Sequence, residues 1–366
     1  NLNISASQLE KFNLCRFSYF CNYGLNVRER QRAEINPMQY GTIVHYILER
    51  FFGEYTKEEY LSLEEDKFQK IVCAYLAEYA VKYFGEEQLE SNSFTYRLKT
   101  ILDNVMYLMK HIMEELSQSE FFVADCELKI GEDIPSYTIV LPDGHKIAVC
   151  GSVDRVDIMQ RADITYLRII DYKTGTKQFK LSDILYGINL QMLLYLHSIE
   201  VSGGDKYGEI VPAGILYMPA TVPYISSDSL KSIDKLPDEL NKKLKMNGLL
   251  LKDTEIIHGM DKTDVATYIP VKIKAGEPVS STSLATLAEF GKIFKKVDML
   301  IAEMGKNIYN GNIEAKPLKG GHDSCEYCPY DSVCAYRQSN PITCFSVDNK
   351  TVIEEITNEI NGKEEE

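Results

Sequence analysis

The sequence predicts an α/β fold: a mixed central sheet carrying a helical insertion, with a Cys-rich loop near the C-terminal end. Three observations predict it. The hydrophobic spacing changes period along the chain in the order helix, strands, helix, strand, which is the signature of helices layered on a sheet. Two long helical patterns precede the strands and read as the insertion. Three cysteines then crowd into ten residues, "CEYCPYDSVC". The chain has 366 residues, too many for one small domain and enough for one large or two modest ones. Its 45% hydrophobic content supplies an ordinary globular core.

In order, residues 5–23 read as a short helix with Ser5 or Ser7 as its cap. "YGTIVHYILERFF" (40–52) has apolar residues at helical spacing and carries His45. Residues 57–84 align Phe68, Val72, Tyr75, Tyr79 and Tyr83 on one stripe. Residues 95–117 align Leu98, Leu102, Val105, Met109, Ile112 and Leu116 on another. Both stripes read as helix packing. Strands follow at 121–130, 137–141, 146–159 and 165–173, with "PDGH" (142–145) as a hairpin turn. A helix at 182–199 leads to a strand at 212–219. Residues 220–285 read as polar and irregular, 284–310 as a helix, 317–345 as a compact Cys-rich loop, and 350–366 as an acidic, frayed tail. These boundaries suggest six segments: 1–56, 57–120, 121–220 (the core), 221–310, 311–345 and 346–366.

The net charge of −14 argues against a generic nucleic-acid binder, whose footprint is usually basic. It leaves open an enzyme that handles DNA through a local groove. No apolar run is long enough to span a bilayer, so no membrane partner is expected. "NLNISASQLEKF" has neither the charged nor the apolar region of a signal peptide, so a cytoplasmic location is expected. The chain does not begin with Met and is expected to be a piece of something longer. No G-x-x-x-x-G-K-[ST] phosphate loop occurs, so no ATP-driven step is expected of these residues. Nine cysteines in a chain without an export signal suggest thiols or metal ligands rather than disulfides.

The chemistry concentrates in two strands. In "LRIIDYKTG" (167–175) an apolar run ends in Asp171 and Lys173, which alternate to one face. Burying either charge alone is costly. In "GSVDRVDI" Asp154 shares a face with Ser152 and Val156, while Arg155 and Asp157 point the other way. Singly, these residues read as ion pairs. Brought together, Asp154 and Asp171 would hold Mg²⁺ or Mn²⁺, hard cations that prefer oxygen ligands. Lys173 would then orient the attacking water or offset charge on a phosphate.

This ordered set resembles the PD-(D/E)XK nucleases, and within them the RecB-like branch. Four elements carry the resemblance: a first-helix histidine (His45), a G-x-x-D-R-x-D strand (151–157), a D-Y-K-T-G strand (171–175), and a Q-x-x-x-Y helix with Gln191 and Tyr195 on one face. The resemblance implies that His45, Asp154 and Asp171 are metal ligands, that Lys173 is catalytic, and that Gln191 and Tyr195 help place the substrate. "LKMNGLLLKD" (244–253), "YIPVKIK" (268–274) and "NIYNGNIEAKP" (307–317) extend it, over nearly the whole chain, to nuclease regions of the AddB type.

Cys325, Cys328 and Cys334 form a C-x2-C-x5-C group that needs a fourth ligand for a tetrahedral site. The residues alone leave Cys344, His322 and Cys15 as candidates, with Cys21 near the last, and leave zinc open. The AddB-type resemblance implies Cys15 and a 4Fe–4S cluster stapling the chain's two ends. Cys73, Cys126 and Cys150 read as core thiols. Arg28, Arg30 and Arg32, with Lys316 and Lys319, are candidates for a DNA backbone near that staple.

The expectation is therefore a Mg²⁺- or Mn²⁺-dependent deoxyribonuclease domain. Its implied setting is an AddAB-type helicase–nuclease in double-strand-break repair and recombination, with DNA and an AddA-type subunit as partners. A stand-alone RecB-like exonuclease and a non-catalytic DNA- or partner-binding module are the alternatives. The intact trio Asp154, Asp171 and Lys173 favours catalysis.

Overall fold

The computed structural model describes residues 2–28, 37–85, 91–175, 178–223, 236–280, 282–334, 336 and 341–364. Its centre is a mixed sheet of six strands: β2 (Phe122–Ile130), β5 (Gly151–Arg161), β6 (Ile164–Lys173), β7 (Glu209–Pro219), β8 (Asn247–Leu251) and β11 (Leu284–Ala285). Across the sheet they run in the order β11-β8-β7-β6-β5-β2. β2, β5 and β6 pair antiparallel, and β6 then pairs parallel with β7. The parallel step follows from the connection, because a helical crossover lies between β6 and β7.

The single strand expected at 146–159 is two. β4 (Lys146–Val149) joins β1 (Leu2–Ile4) and β3 (Thr138–Val140) in a small separate sheet, and β5 belongs to the large one. The switch falls at Cys150, whose N–H donates to the Ile4 carbonyl. Alternation continues through such a switch, so the hydrophobic pattern does not reveal it.

Helices flank the sheets, among them α1 (Ala6–Leu14), α2 (Pro37–Glu54), α3 (Glu65–Phe84), α4 (Asn92–Ser117), α5 (Gln191–Ser202), α6 (Leu287–Tyr309) and α7 (Asn349–Glu364). Ser5, not Ser7, caps α1, in a reciprocal capping box with Gln8. The helix expected over 5–23 breaks at Cys15, whose backbone is extended. The helix expected from 182 starts at Gln191. Before it lies a 3₁₀ turn, Leu181–Tyr186, ended by Gly187 at φ +69°. Gly187 suits that left-handed position, and a β-carbon there would strike the Asn13 side chain, which bonds the Gly187 carbonyl.

Two further expectations fail. The stretch 220–285 holds β8, a helix at Thr254–Met260, the hairpin β9 (Lys272–Lys274) and β10 (Glu277–Val279), and β11. Residues 248–251 of β8 are all buried, so the strand lacks the alternation that marks a half-exposed one. The tail is also ordered, as α7. Val352, Ile356 and Ile360 recur every four residues and are buried, and Lys296 of α6 meets Glu359 at 2.5 Å.

The insertion helix α4 is fastened to the sheet by charge. Arg155 and Arg168 project from neighbouring strands into a fully buried cluster with Asp157 and with Glu115 of α4. Arg155 reaches Glu115 at 3.0 Å and Asp157 at 2.7 Å; Arg168 reaches Glu115 at 2.6 Å. Each guanidinium also stands over a ring, Phe52 and Phe121 respectively. Among the described residues, no helix is long and apolar enough to cross a membrane.

Candidate active site

Alternation in β5 and β6 turns Arg155 and Arg168 to one face of the sheet and Asp154, Asp171 and Lys173 to the other. Arg155 is paired with Ile170, so one step further along the antiparallel register sets Asp154 opposite Asp171. The Tyr172 backbone N–H donates to Asp154 Oδ2 at 2.9 Å. Lys173 Nζ lies 2.5 Å from Asp171 Oδ2. Gln191, first residue of α5, donates from Nε2 to Asp171 Oδ1 at 3.4 Å.

His45 reaches the same place from α2, with Nε2 3.6 Å from Asp154 Oδ2 and Nδ1 3.1 Å from Glu127 Oε1. The other Glu127 oxygen accepts from Ser152 Oγ at 2.8 Å. Ligand atoms of His45, Glu127 and Asp154 all lie within 4.8 Å of one another. The sequence reading missed Glu127. Its signal was a carboxylate, two places after Asp125, in the strand "FFVADCELKI", paired antiparallel with "GSVDRVD". It adopts φ +50°, rare for a residue with a β-carbon.

The electrostatics describe crowded acids. Burial first, and the neighbouring Asp171 charge second, push Asp154 up to about 7. Burial opposes the His45 imidazolium, but the Glu127 hydrogen bond and the charges of Asp154, Glu127 and Asp171 outweigh it and raise His45 to about 9. Burial raises Glu127, yet bonds from His45 and Ser152 prevail and hold it below the usual carboxylate range. A groove of about 660 Å³ opens over the site, lined in part by His45, Glu127, Tyr172 and Lys173.

Tyr195 sits differently from its sequence partner. It is buried, its hydroxyl accepts from the Ala6 backbone, and burial pushes it up to about 12. Its ring end fills the space beside Gly151 rather than bonding a carboxylate.

Cys15, Cys325, Cys328 and Cys334 line one cavity of about 130 Å³. They are free thiols. Among the described residues, no three thiols close to within 4.8 Å of one another, so the tight cluster expected from the spacing is not formed. Four thiolates about 2.3 Å from one zinc would stand within about 4 Å of each other. The alternative fourth ligand Cys344 is drawn away into β13 (Ile342–Cys344), paired parallel with β12 (Leu318–Gly320), and packs on Ile188 and Leu318. His322 faces Asp183 at 3.5 Å. Tyr330 of the Cys loop bonds the Val27 carbonyl at 2.8 Å, joining the loop to the chain's beginning.

Of the basic residues expected to meet DNA, Arg28 is exposed and Arg30 and Arg32 lie outside the described residues. Lys316 is partly exposed. Lys319 is held by both oxygens of Asp323, at 2.6 and 2.9 Å, which neutralises it locally.

Comparison with known proteins gives a consistent result. Residues 3–335 match the model of the PD-(D/E)XK nuclease superfamily. The chain is 35% identical over 347 residues to the AddB-family ATP-dependent helicase/deoxyribonuclease subunit of Thermoanaerobacter sp. (strain X514), covering 92% of this chain and 30% of that protein. It is 34% identical over 383 residues to the protein of the same name from Clostridium kluyveri, covering 100% and 33%. For that of Alkaliphilus oremlandii the figures are 33% over 372 residues, covering 97% and 32%. The chain thus spans about a third of the length of these relatives.

Proposed function

The chain belongs to the PD-(D/E)XK nuclease superfamily, and from that premise we propose that it hydrolyses DNA phosphodiester bonds with Mg²⁺ or Mn²⁺ at His45, Asp154 and Asp171. The observation that carries this is the meeting of Asp154, Asp171 and Lys173 on one face of adjacent strands, with His45 closing over them. The donor set suits a hard cation: carboxylate oxygens predominate, and a neutral imidazole nitrogen completes them. Crowding that raises Asp154 to about 7 is relieved when a divalent charge replaces the His45 proton.

When bound, the ion polarises the phosphate and lowers the pKa of its water. The protein does the positioning. Tyr172 N–H fixes one oxygen of Asp154, and Gln191 and Lys173 each hold one oxygen of Asp171. The Lys173 ammonium offsets charge that builds on the phosphate oxygens. Tyr195 packs behind Gly151 and supports the strand that carries Asp154.

Cys15, Cys325, Cys328 and Cys334 hold a 4Fe–4S cluster in this reading, since thiolates bound to separate irons stand further apart than those on one zinc. Their shared cavity supports it. Cys15 and Cys325 are 310 positions apart. Closing such a loop is worth about 5–6 kcal/mol of unfolded-chain entropy by the relation used for disulfides. The relatives' name, a helicase/deoxyribonuclease subunit, supports a place in a helicase–nuclease; an AddA-type partner and action on broken DNA in the cytoplasm belong to the same proposal.

Cleavage of linear DNA with Mn²⁺ or Mg²⁺ tests the activity. Asp171→Ala should abolish it while the far-UV spectrum stays unchanged; undiminished cleavage by this variant sinks the site. Iron near four atoms per chain in anaerobic preparations, lost in Cys15→Ala, tests the cluster, and stoichiometric zinc there would overturn it.

A further inference from the structure

Part of the groove's lining is aromatic. Tyr46 follows His45 on α2, and Tyr79 and Tyr83 come from the insertion helix α3; all three line the same cavity as His45, Glu127 and Lys173. The rings form a ladder. Tyr46 and Tyr79 lie 5.2 Å apart between centroids, and Tyr79 and Tyr83 lie 4.4 Å apart at a 35° tilt. Core packing accounts for the inner rungs, since Tyr79 is buried. It does not account for Tyr83, which continues the stripe one turn past the core and stays 55% exposed. Lys82 Nζ stands 5.1 Å from the Tyr83 centroid and 6.0 Å from that of Tyr46.

We propose that Tyr83, backed by Tyr79 and flanked by Lys82, is a stacking platform for the bases of a single-stranded nucleic acid entering the metal-site groove. Every base offers a π-face, so such a platform binds without reading sequence. A duplex keeps its bases stacked on each other and offers this ring only phosphates and groove edges. Single strands are therefore the ligand the geometry selects. Stacking also suits a groove whose lining sets Glu49 and Glu127 against Lys129 and Lys173 and so is not the purely basic lining of an electrostatic funnel. Tyr79 holds the outer ring in place before the strand arrives, which lowers the ordering cost of binding. Lys82 meets the backbone beside the stacked base. The proposal rests on the nuclease reading only for the direction of the strand.

Binding of a fluorescent 12-nucleotide oligo(dT) to the full chain, with Ca²⁺ in place of Mg²⁺ or Mn²⁺, tests it. Tyr83→Ala should weaken affinity about 5- to 150-fold, the range of one lost base–aromatic stack. Tyr83→Phe should retain it. An oligonucleotide with abasic sites, and a duplex of equal length, should bind the wild type and Tyr83→Ala alike. Unchanged oligo(dT) affinity in Tyr83→Ala overturns the platform, as does an equal loss on abasic and duplex ligands. Cleavage with Mn²⁺ is measured on the same preparations. Tyr83-dependent binding without any cleavage keeps the platform and removes the nuclease reading. Cleavage with Tyr83-independent binding does the reverse.

Discussion

The Tyr195 hydroxyl occupies the space that a β-carbon on Gly151 would need. Two motifs separated in sequence, the glycine that opens β5 and the tyrosine of α5, are therefore halves of one contact. Gly151 lies three residues before Asp154, so the contact sets where that strand leaves the helix. Gly151→Ala should cost about 1–3 kcal/mol through overpacking. Urea unfolding measures it. Tyr195→Phe removes the colliding oxygen and should recover part of the loss in the double variant. Wild-type stability in Gly151→Ala would show that the ring moves freely.

Glu127 holds His45 by Nδ1 and leaves Nε2 toward Asp154. A carboxylate behind a metal-binding histidine fixes its orientation and raises its basicity. Glu127→Ala should therefore weaken Mn²⁺ binding about 10- to 100-fold, read by calorimetry on metal-free protein. Ser152→Ala removes only one bond to Glu127 and should cost much less. Equal affinities in wild type and Glu127→Ala would leave the carboxylate without a part in the site.

Glu115 bridges Arg155 and Arg168, and none of the three side chains touches solvent. Removing one member of a buried ion network leaves the others uncompensated, at a cost of about 3–5 kcal/mol. Glu115→Ala should lose that much stability by chemical denaturation. Proteolysis should then cut first around α4, because the bridge is the charge link from that helix to the sheet. A loss below about 1 kcal/mol, the scale of an exposed pair, would mean that water replaces the carboxylate.

The site was easier to read than its surroundings, for a physical reason. Asp154, Asp171, Lys173 and His45 stand out because charge on an apolar strand or helix face has few explanations. Their alternation with Arg155 and Asp157 is fixed by the period of a strand. Glu127 escaped because one carboxylate in "ELKI" resembles an exposed strand position, and only the fold brings it under His45. The break at Cys150 and the strand β8 escaped because sheet membership is decided by partners far away in sequence. The tail was read from its acids, whereas Val352, Ile356 and Ile360 decide that it packs. Tyr83 was read as one more packing residue because its spacing continues the buried stripe; exposure alone sets it apart.

A second histidine lies away from the candidate active site and makes the fold sensitive to pH. His197 of α5 has Nδ1 3.2 Å from Glu200 and Nε2 3.2 Å from Asp298 of α6. Its ring stacks on Phe294 at 4.6 Å and meets Tyr137 edge-on at 4.9 Å, and the Tyr137 hydroxyl donates to the same Asp298. Burial opposes the imidazolium, but bonds to Asp298 and Glu200 outweigh it and raise His197 to about 9, from 6.5. A raised histidine stabilises the fold fully below the unfolded value of 6.5, and the contribution disappears as pH rises through about 9. Between those values the loss is at most about 1.4 kcal/mol per pH unit. His45 titrates over the same range, so the wild-type slope alone does not identify its source. His197→Gln removes this titration and keeps a polar side chain between the two acids. Its stability should be below wild type at pH 6 and should approach it by pH 9.5, in denaturation series run on both proteins at each pH. A constant gap across that range would show that His197 is held neutral, and that α5 and α6 are joined by packing on Phe294 rather than by charge.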